Sequence, residues 1–122
     1  MEDTFRFTLD NSEGFLRVKL YGVVRVDDVR VVFDAITDDG QFTEPRRLWD
    51  LRECRLGLSS DELMEMANVA KSRDLPGSRG GLLAPRDLNF GMARMHQVFR
   101  ESDDISVRVF RDEDEAVAWM RG

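Results

Sequence analysis

The chain has 122 residues, the usual length of one domain, and we expect residues 1–122 to form a single domain. Its net charge of −6 argues against general nucleic-acid binding, which requires a basic surface. A single cysteine excludes an intrachain disulfide, and neither a secretory leader nor an apolar run long enough for a membrane span is present, so we expect a cytoplasmic protein.

The N-terminal part of the chain alternates between apolar and polar residues. This alternation predicts half-buried strands over Phe5–Leu9 and Phe15–Tyr21, which a polar turn joins into an antiparallel hairpin. After Gly22 the apolar residues recur every three or four positions, as on one side of a helix. Asp27 and Asp28 suit the start of that helix, as a cap and as negative charge against its dipole.

The next unit is a short strand followed by a strongly marked helix start. Arg47–Leu51 is short and bounded by charged residues, which predicts a third strand. Ser59 and Glu62 stand at the two positions of a capping box, in which each side chain accepts a hydrogen bond from the other residue's backbone. Leu58 and Leu63 stand at the positions of a hydrophobic staple. The second helix therefore begins here.

The rest of the chain contains two further strands and two further helices. Gly80–Ala84 is a short apolar segment, which predicts a fourth strand. A third helix is expected over about 87–102, and the alternating segment Ile105–Val109 predicts the last strand. Asp112 and Glu115 resemble a second capping box, which would open a fourth helix.

The order of these elements is β-β-α-β-α-β-α-β-α. Four consecutive βα units favour right-handed crossovers between parallel strands, so the sequence predicts an α/β fold with a mixed, mostly parallel five-stranded sheet. Strands that are covered on both faces are almost continuously apolar, whereas the second and last predicted strands alternate. We therefore expect all four helices to stack on one face and the other face to be open.

Three segments stand out as motifs, namely LWDL at 48–51, SSDEL at 59–63 and VRVFRDEDEAVAWM at 107–120. Together they resemble the STAS-like superfamily, which includes bacterial anti-sigma-factor antagonists and small uncharacterised STAS-like proteins. The resemblance extends over almost the whole chain. It implies a one-sided stack of βα units and a non-enzymatic function.

The resemblance also points to two serines. In the antagonists, a serine of an Asp-Ser-Ser-Gly motif at the start of the second helix is phosphorylated by an anti-sigma kinase. Ser59 and Ser60 match the two serines, whereas Leu58 and Asp61 replace the aspartate and the glycine. The resemblance thus implies that Ser59 and Ser60 are candidates for phosphorylation or partner contact, although acidic neighbours repel an added phosphate.

Three arginines follow the carboxyl ends of predicted strands, namely Arg52, Arg86 and Arg111. Ligands of open α/β sheets bind beyond these ends. The three arginines are therefore candidates for an anion-binding or ligand-binding rim. The alternative is that they form salt bridges with the acidic residues beside them.

No catalytic or metal-binding combination is visible in the sequence. Cys54 is the one cysteine and His96 the one histidine, so no pair of soft metal ligands exists. No nucleophile stands at a recognisable spacing from a base. We therefore expect no metal, no cofactor and no enzyme activity.

Two functions remain. The first is a non-enzymatic STAS-like interaction or regulatory module, which binds a protein partner or a second copy of itself through the helix start at Leu58–Leu63 or through the open sheet face. The alternative is a carrier of a small apolar ligand or lipid, because the STAS-like fold also resembles the lipid-binding CRAL-TRIO domain. A carrier would need a cavity between the second and third helices, with a methionine lining of Met64, Met66, Met92 and Met95.

Overall fold

The computed structural model describes residues 4–38, 40, 42–73, 77–85, 87–100 and 106–122. Within these ranges the strands and helices follow one another in the predicted order. The elements are β1 (Arg6–Asp10), β2 (Leu16–Val24), α1 (Val26–Asp38), β3 (Arg46–Leu56), α2 (Ser60–Arg73), β4 (Arg79–Leu83), α3 (Asp87–Arg100), β5 (Ser106–Phe110) and α4 (Glu113–Arg121).

The five strands form one sheet in the order β1-β2-β3-β4-β5. β1 pairs antiparallel with β2, and every other neighbouring pair is parallel. The predicted fold class, an α/β fold with an N-terminal hairpin and a mixed, mostly parallel sheet, is therefore confirmed. Each crossover moves to the next strand in the same direction, so right-handed connections place α1, α2 and α3 on the same face. We call this the first face.

The first face carries the main hydrophobic core. Alternate residues of β2 lie on it, and Leu16, Val18 and Leu20 are all buried there. Phe33 of α1 packs on Trp49 of β3, with 5.2 Å between the ring centroids. Burial of apolar surface here, at roughly 25 cal/mol per Å², is the main stabilising term for the three crossover helices.

The fourth helix lies on the other side of the sheet, the second face, which corrects the expectation that all four helices share one face. Handedness constrains a helix that connects two parallel strands, but α4 follows the last strand of the sheet. Its position is set by apolar residues that alternate with those of the first face. This second cluster consists of Phe15, Leu48, Leu83, Phe110, Ala116 and Met120.

A glycine allows α4 to pack closely on the second face, and two arginines bind the end of the helix. A Cβ on Gly81 would approach the Met120 Cε and the Leu48 Cδ1 to 3.0 Å, so the glycine lets the helix lie close to β4. Arg46 donates to the Met120 carbonyl at 2.9 Å, and Arg79 donates to the Trp119 carbonyl at 3.0 Å. These arginines satisfy carbonyls of the last turn, which lack partners within the helix.

β3 is longer than the predicted strand Arg47–Leu51. Its second half continues beside β2, where Tyr21 pairs with Glu53 after Lys19 pairs with Asp50. One residue on β2 therefore opposes two on β3, which is the geometry of a β-bulge. The extra residue breaks the alternation of the sequence, and this is why the end of the strand resembles a turn.

Candidate functional site

The start of α2 has the predicted hydrogen bonds. The backbone N–H of Ser59 donates to Glu62 Oε1 at 2.9 Å, and the N–H of Glu62 donates to Ser59 Oγ at 3.2 Å. Leu58 and Leu63 are both buried in the main core. The capping box and the hydrophobic staple are therefore confirmed, and they fix the angle at which the chain enters the helix.

Ser59 and Ser60 are exposed at this helix start. The helix dipole favours negative charge at the position, but Asp61 and Glu62 already supply two carboxylates in the first turn. Hydrogen bonds from the backbone and side chain of Ser59 lower the pKa of Glu62, so this carboxylate is ionised at neutral pH. A phosphate on either serine would gain from the dipole and be repelled by its neighbours.

An apolar side chain lies next to the serines. Met64 is 47% exposed one turn into α2, and Val31, Met95 and Val98 are the other exposed large hydrophobic side chains among the described residues. Nearby, Arg30 of α1 forms a salt bridge with Glu65 at 3.5 Å and ties the two helices together. We call Ser59, Ser60 and Met64 the α2-start surface. It combines two small polar groups and one adaptable apolar group on a well-capped helix.

Two of the three arginines of the predicted rim lie within the described residues. Arg52 lies within β3, where its guanidinium donates to both oxygens of Asp50 at 2.9 and 2.7 Å. Arg111 stacks on the ring of Phe90, 4.0 Å from its centroid. Arg86 lies outside the described residues. The two described arginines thus have different neighbours, and anion binding at this rim stays a prediction.

The salt bridge between Arg52 and Asp50, which was the alternative to an anion-binding rim, belongs to a larger charged network on the second face that was not foreseen from the sequence. At its centre Asp50 is 0% exposed and contacts Arg17, which is 14% exposed, at 3.2 Å. Glu113 at the start of α4 lies 3.1 Å from Arg17 and 2.8 Å from Arg52. Glu13 lies 2.8 Å from the other side of Arg17. This arginine–carboxylate network joins β2, β3 and the first turn of α4.

The charges of the network stabilise one another. Burial of Asp50 raises its pKa, but hydrogen bonds from the side chain and backbone of Arg52, with the charges of Arg52 and Lys19, outweigh it, so that the pKa lies below its ordinary value. The pKa of Arg17 is raised, chiefly by its hydrogen bond with Glu13. Asp50 is thus a structural carboxylate that is ionised at neutral pH. It lacks the elevated pKa that a general acid or base needs near neutral pH.

Asn89 of α3 is a second residue whose role the sequence analysis missed. Its side chain is buried and accepts a hydrogen bond from the Leu56 N–H at 3.1 Å. It also donates to the carbonyls of Leu51 and Cys54 at 3.2 and 2.8 Å. One signal was available, because residues 89, 92, 93 and 96 have the spacing of the buried stripe of a helix. A buried asparagine must be hydrogen-bonded.

The cavity expected of an apolar-ligand carrier is small. A cavity of about 40 Å³ lies between the first face and α1, α2 and α3. Met66 and Met92 line it, whereas Met64 and Met95 are 47% and 39% exposed, which corrects the expected methionine lining. This volume has room for a few water-sized molecules. It gives no support to a lipid carrier.

Two further findings concern metals and membranes. Within the described ranges, no group of three His, Cys, Asp or Glu side chains is arranged to hold a metal ion. Cys54 is buried within β3, beyond the end predicted for that strand, and its Sγ lies 3.7 Å from the Leu51 carbonyl. Among the described helices, none combines the length and the apolar character that a bilayer crossing requires.

Known structures share this fold at low sequence identity. No protein-family model and no curated protein matches the chain. An uncharacterised protein of Shewanella loihica with a SpoIIAA-like fold is similar at a TM-score of 0.61 and 15% identity, over 95% of this chain and 93% of that one. An anti-sigma factor antagonist of Mycobacterium paratuberculosis is similar at a TM-score of 0.72 and 14% identity, over 100% and 98% of the two chains. This chain therefore has a SpoIIAA-like fold.

Proposed function

We propose that the chain is a non-enzymatic, regulatory interaction module that binds a protein partner through the α2-start surface. Likeness to an anti-sigma factor antagonist along the whole chain supports a function in binding another protein. The observation that carries the proposal is the exposure of Ser59, Ser60 and Met64 together on a helix start that the capping box holds in place.

The chemistry of this surface suits a protein partner. Its central side chain, Met64, is flexible and polarizable and adapts to an apolar pocket. The serines are small enough for close approach of a partner's backbone, and Asp61 and Glu62 add negative charge at the rim. The complementary surface on the partner therefore has an apolar pocket bordered by basic side chains.

Phosphorylation would control this binding through Ser60 rather than through Ser59. The Oγ of Ser59 accepts the Glu62 N–H in the capping box, so modification there would break the box. Ser60 is exposed beside it. A phosphate on Ser60 would add nearly two negative charges beside Asp61, and it would change the affinity for a basic partner surface.

A photo-crosslinking experiment tests partner binding. A photoreactive phenylalanine analogue is placed at Ser60 in one variant and, as a matched control, at the exposed Asp38 of α1 in another. In lysate of the source organism we expect irradiation to yield a discrete adduct from the Ser60 variant that Met64→Asp abolishes. If both variants gave the same adducts, or neither gave any, the α2-start surface would not be the binding site.

Mass spectrometry tests the phosphorylation step separately. Wild type, Ser60→Ala and Ser59→Ala are incubated with ATP and the same lysate. We expect one added phosphate on wild type and on Ser59→Ala, and none on Ser60→Ala. Unmodified wild-type protein would remove the switch from the proposal and leave constitutive partner binding in place.

A further inference from the structure

The three helices of the first face lie side by side, with α2 between α1 and α3. Each has one stripe of inward-facing residues, which begins at Val29 in α1, at Leu63 in α2 and at Asn89 in α3 and recurs three, four and seven positions later. Residues at equal steps from these three positions therefore lie at matching places on the three helices.

An ion pair spans the groove between α1 and α2. Arg30 of α1 and Glu65 of α2, one and two steps beyond the aligned positions, contact each other there at 3.5 Å. The same two steps on the next pair of helices lead to Met64 of α2 and Gly91 of α3. The groove between α2 and α3 therefore has a flexible apolar side chain opposite a residue with no side chain, where its neighbour has a salt bridge.

This second groove is open and apolar. A Cβ on Gly91 would meet no described atom outside its own helix within 4 Å, so close packing does not require the glycine, which destabilises the middle of a helix. Met95, four residues further on, is 39% exposed, and Val98 is 76% exposed. We call Met64, Gly91, Met95 and Val98 the α2–α3 groove. It contains three of the four exposed large hydrophobic side chains among the described residues.

The α2–α3 groove continues the α2-start surface, because Met64 belongs to both. Ser59, Ser60 and Met64 alone are far fewer than the about 20–30 residues that each side of a specific interface contributes. A partner that contacts them must therefore cover more of the protein. The apolar area that adjoins them within the described residues lies along α3.

The charges at the two ends of the groove differ in sign. Asp61 is exposed in the first turn of α2, whereas Lys71 in the last turn of α2 and Arg94 beside Met95 are exposed towards the other end. A complementary segment therefore carries basic residues at the first end and acidic residues at the second. A helix favours acidic residues at its N-terminus and basic residues at its C-terminus, so a helix that runs antiparallel to α2 has this arrangement.

We propose that the partner presents an amphipathic helix, which lies in the α2–α3 groove and runs antiparallel to α2. Its apolar residues, three or four positions apart, pack on Met64, Met95 and Val98, and Gly91 allows its backbone to approach closely. This inference rests on the proposed function. It adds the class of partner and the place where the partner lies.

The length of the groove distinguishes a helix from an extended segment. Val98 of α3 matches Ser72 of α2, which lies about 12 residues, or roughly 18 Å, beyond Ser60. A helix bound along the groove contacts the two ends with residues about 12 positions apart, whereas an extended segment covers that distance with about five or six residues.

A photoreactive phenylalanine analogue at Ser60 or at Val98 tests this spacing. In lysate of the source organism, we expect both probes to yield adducts with the same partner protein. Mass spectrometry of the digested adducts should place the two linkage sites about 12 residues apart, with the Ser60 linkage nearer the C-terminus. Sites about five residues apart or in the reverse order, no adduct from Val98, different partners, or an adduct with a second copy of the chain would each overturn the inference.

Three glutamate substitutions test the groove itself. Gly91→Glu and Val98→Glu each place a charge in the groove, and we expect either to lower the yield of the Ser60 adduct roughly 10-fold. Val31→Glu is the matched control, because Val31 is 53% exposed at the position of α1 that corresponds to Gly91. It should leave the yield unchanged. Circular dichroism verifies that every variant is folded.

The outcomes distinguish this inference from the proposed function. No Ser60 adduct in an otherwise wild-type chain would overturn both. A Ser60 adduct that Gly91→Glu and Val98→Glu leave unchanged, or that Val31→Glu lowers equally, would overturn the helix in the groove and leave partner binding at the α2-start surface in place.

Discussion

The two faces of the sheet are stabilised by different interactions. The first face is covered by three helices and consists almost entirely of apolar contacts. The second face is half covered, and α4 is held there by a small apolar cluster together with arginines at both of its ends. Chain connectivity determines which helices cover the first face, whereas individual side chains determine that α4 covers the second.

This difference indicates how each face should respond to damage. The core on the first face packs all five strands against three helices, so the fold should unfold when this packing is lost. The second face is a local attachment, and α4 should open more easily than the rest. We expect truncation of a side chain in the core of the first face to destabilise the whole fold. Truncation in the second cluster should first destabilise the packing of α4.

The largest effect is expected from truncating a core leucine. Leu20→Ala on the first face and Leu83→Ala on the second should each lower the free energy of unfolding by about 3 kcal/mol, because both side chains are buried. Hydrogen exchange distinguishes the effects of the two substitutions. Leu83→Ala should accelerate exchange in α4 before other elements, and uniform acceleration in that variant would contradict the distinction between the faces.

A somewhat smaller effect is expected at Asn89. Asn89→Ala removes the partner of the Leu56 N–H and of two carbonyls, and we expect a loss of about 2 kcal/mol. Urea denaturation measures the loss, and hydrogen exchange should rise at the N–H of Leu56. Protection of that N–H in the variant would show that the asparagine is dispensable.

The charged network should contribute less to the free energy of unfolding than Asn89 does, because Arg52 is 35% exposed and water screens its charge. Asp50→Asn keeps the shape and removes the charge, and we expect a loss of about 1–2 kcal/mol at pH 7. The pKa of Asp50 is lowered in the folded protein, so its contribution is complete above the ordinary value of 3.8 and is lost as the pH falls through the lower folded value.

Urea midpoints of wild type and Asp50→Asn at several pH values test this linkage. The difference between the two proteins should be constant from pH 7 to about pH 5 and should shrink below about pH 4, as Asp50 in wild type takes up its proton. A difference that stayed constant down to pH 2.5 would assign the effect of the substitution to packing rather than to charge.

The smallest effect is expected at the exposed side of the same network. Glu113→Gln should lower the free energy of unfolding by about 0.5 kcal/mol, because this carboxylate is 42% exposed and water screens its charge, and should mainly increase fraying of the first turn of α4. Glu115→Gln removes the same charge from the outer side of that turn and is the matched control. Equal exchange rates in the two variants would mean that Arg17 and Arg52 do not hold the helix.

Most of the fold could be predicted from the sequence, because the strands and helices follow from local patterns of residue type. Alternation and helical period depend on residue type alone, and they located every strand and helix. The capping box at Ser59 is a local signal, so its hydrogen bonds could be predicted from four residues. The alternation of the second and last strands then predicted one covered face, which is right for the three crossover helices and wrong for α4.

Features that depend on distant contacts could not be predicted in this way. The bulge in β3 arises from pairing with β2, and it hides the end of the strand by breaking the alternation. Arg17 and Asp50 look like ordinary polar residues of an exposed strand face until α4 brings Glu113 to them. The position of the proposed α2-start surface could be predicted from a resemblance, whereas the contacts of Arg17 and Glu113 in the charged network required the folded chain.

Asn89 also has a consequence for aggregation. β4 pairs with β3 only as far as Asp50, so the rest of β3 would be an unpaired strand edge inside the sheet. The amide of Asn89 occupies the hydrogen-bonding groups of Leu51, Cys54 and Leu56 on that stretch. An unpaired strand edge can pair with a strand of another chain. The Asn89 side chain prevents such pairing, because it makes the hydrogen bonds that an added strand would otherwise make. A partner therefore cannot bind here by strand addition while Asn89 is in place.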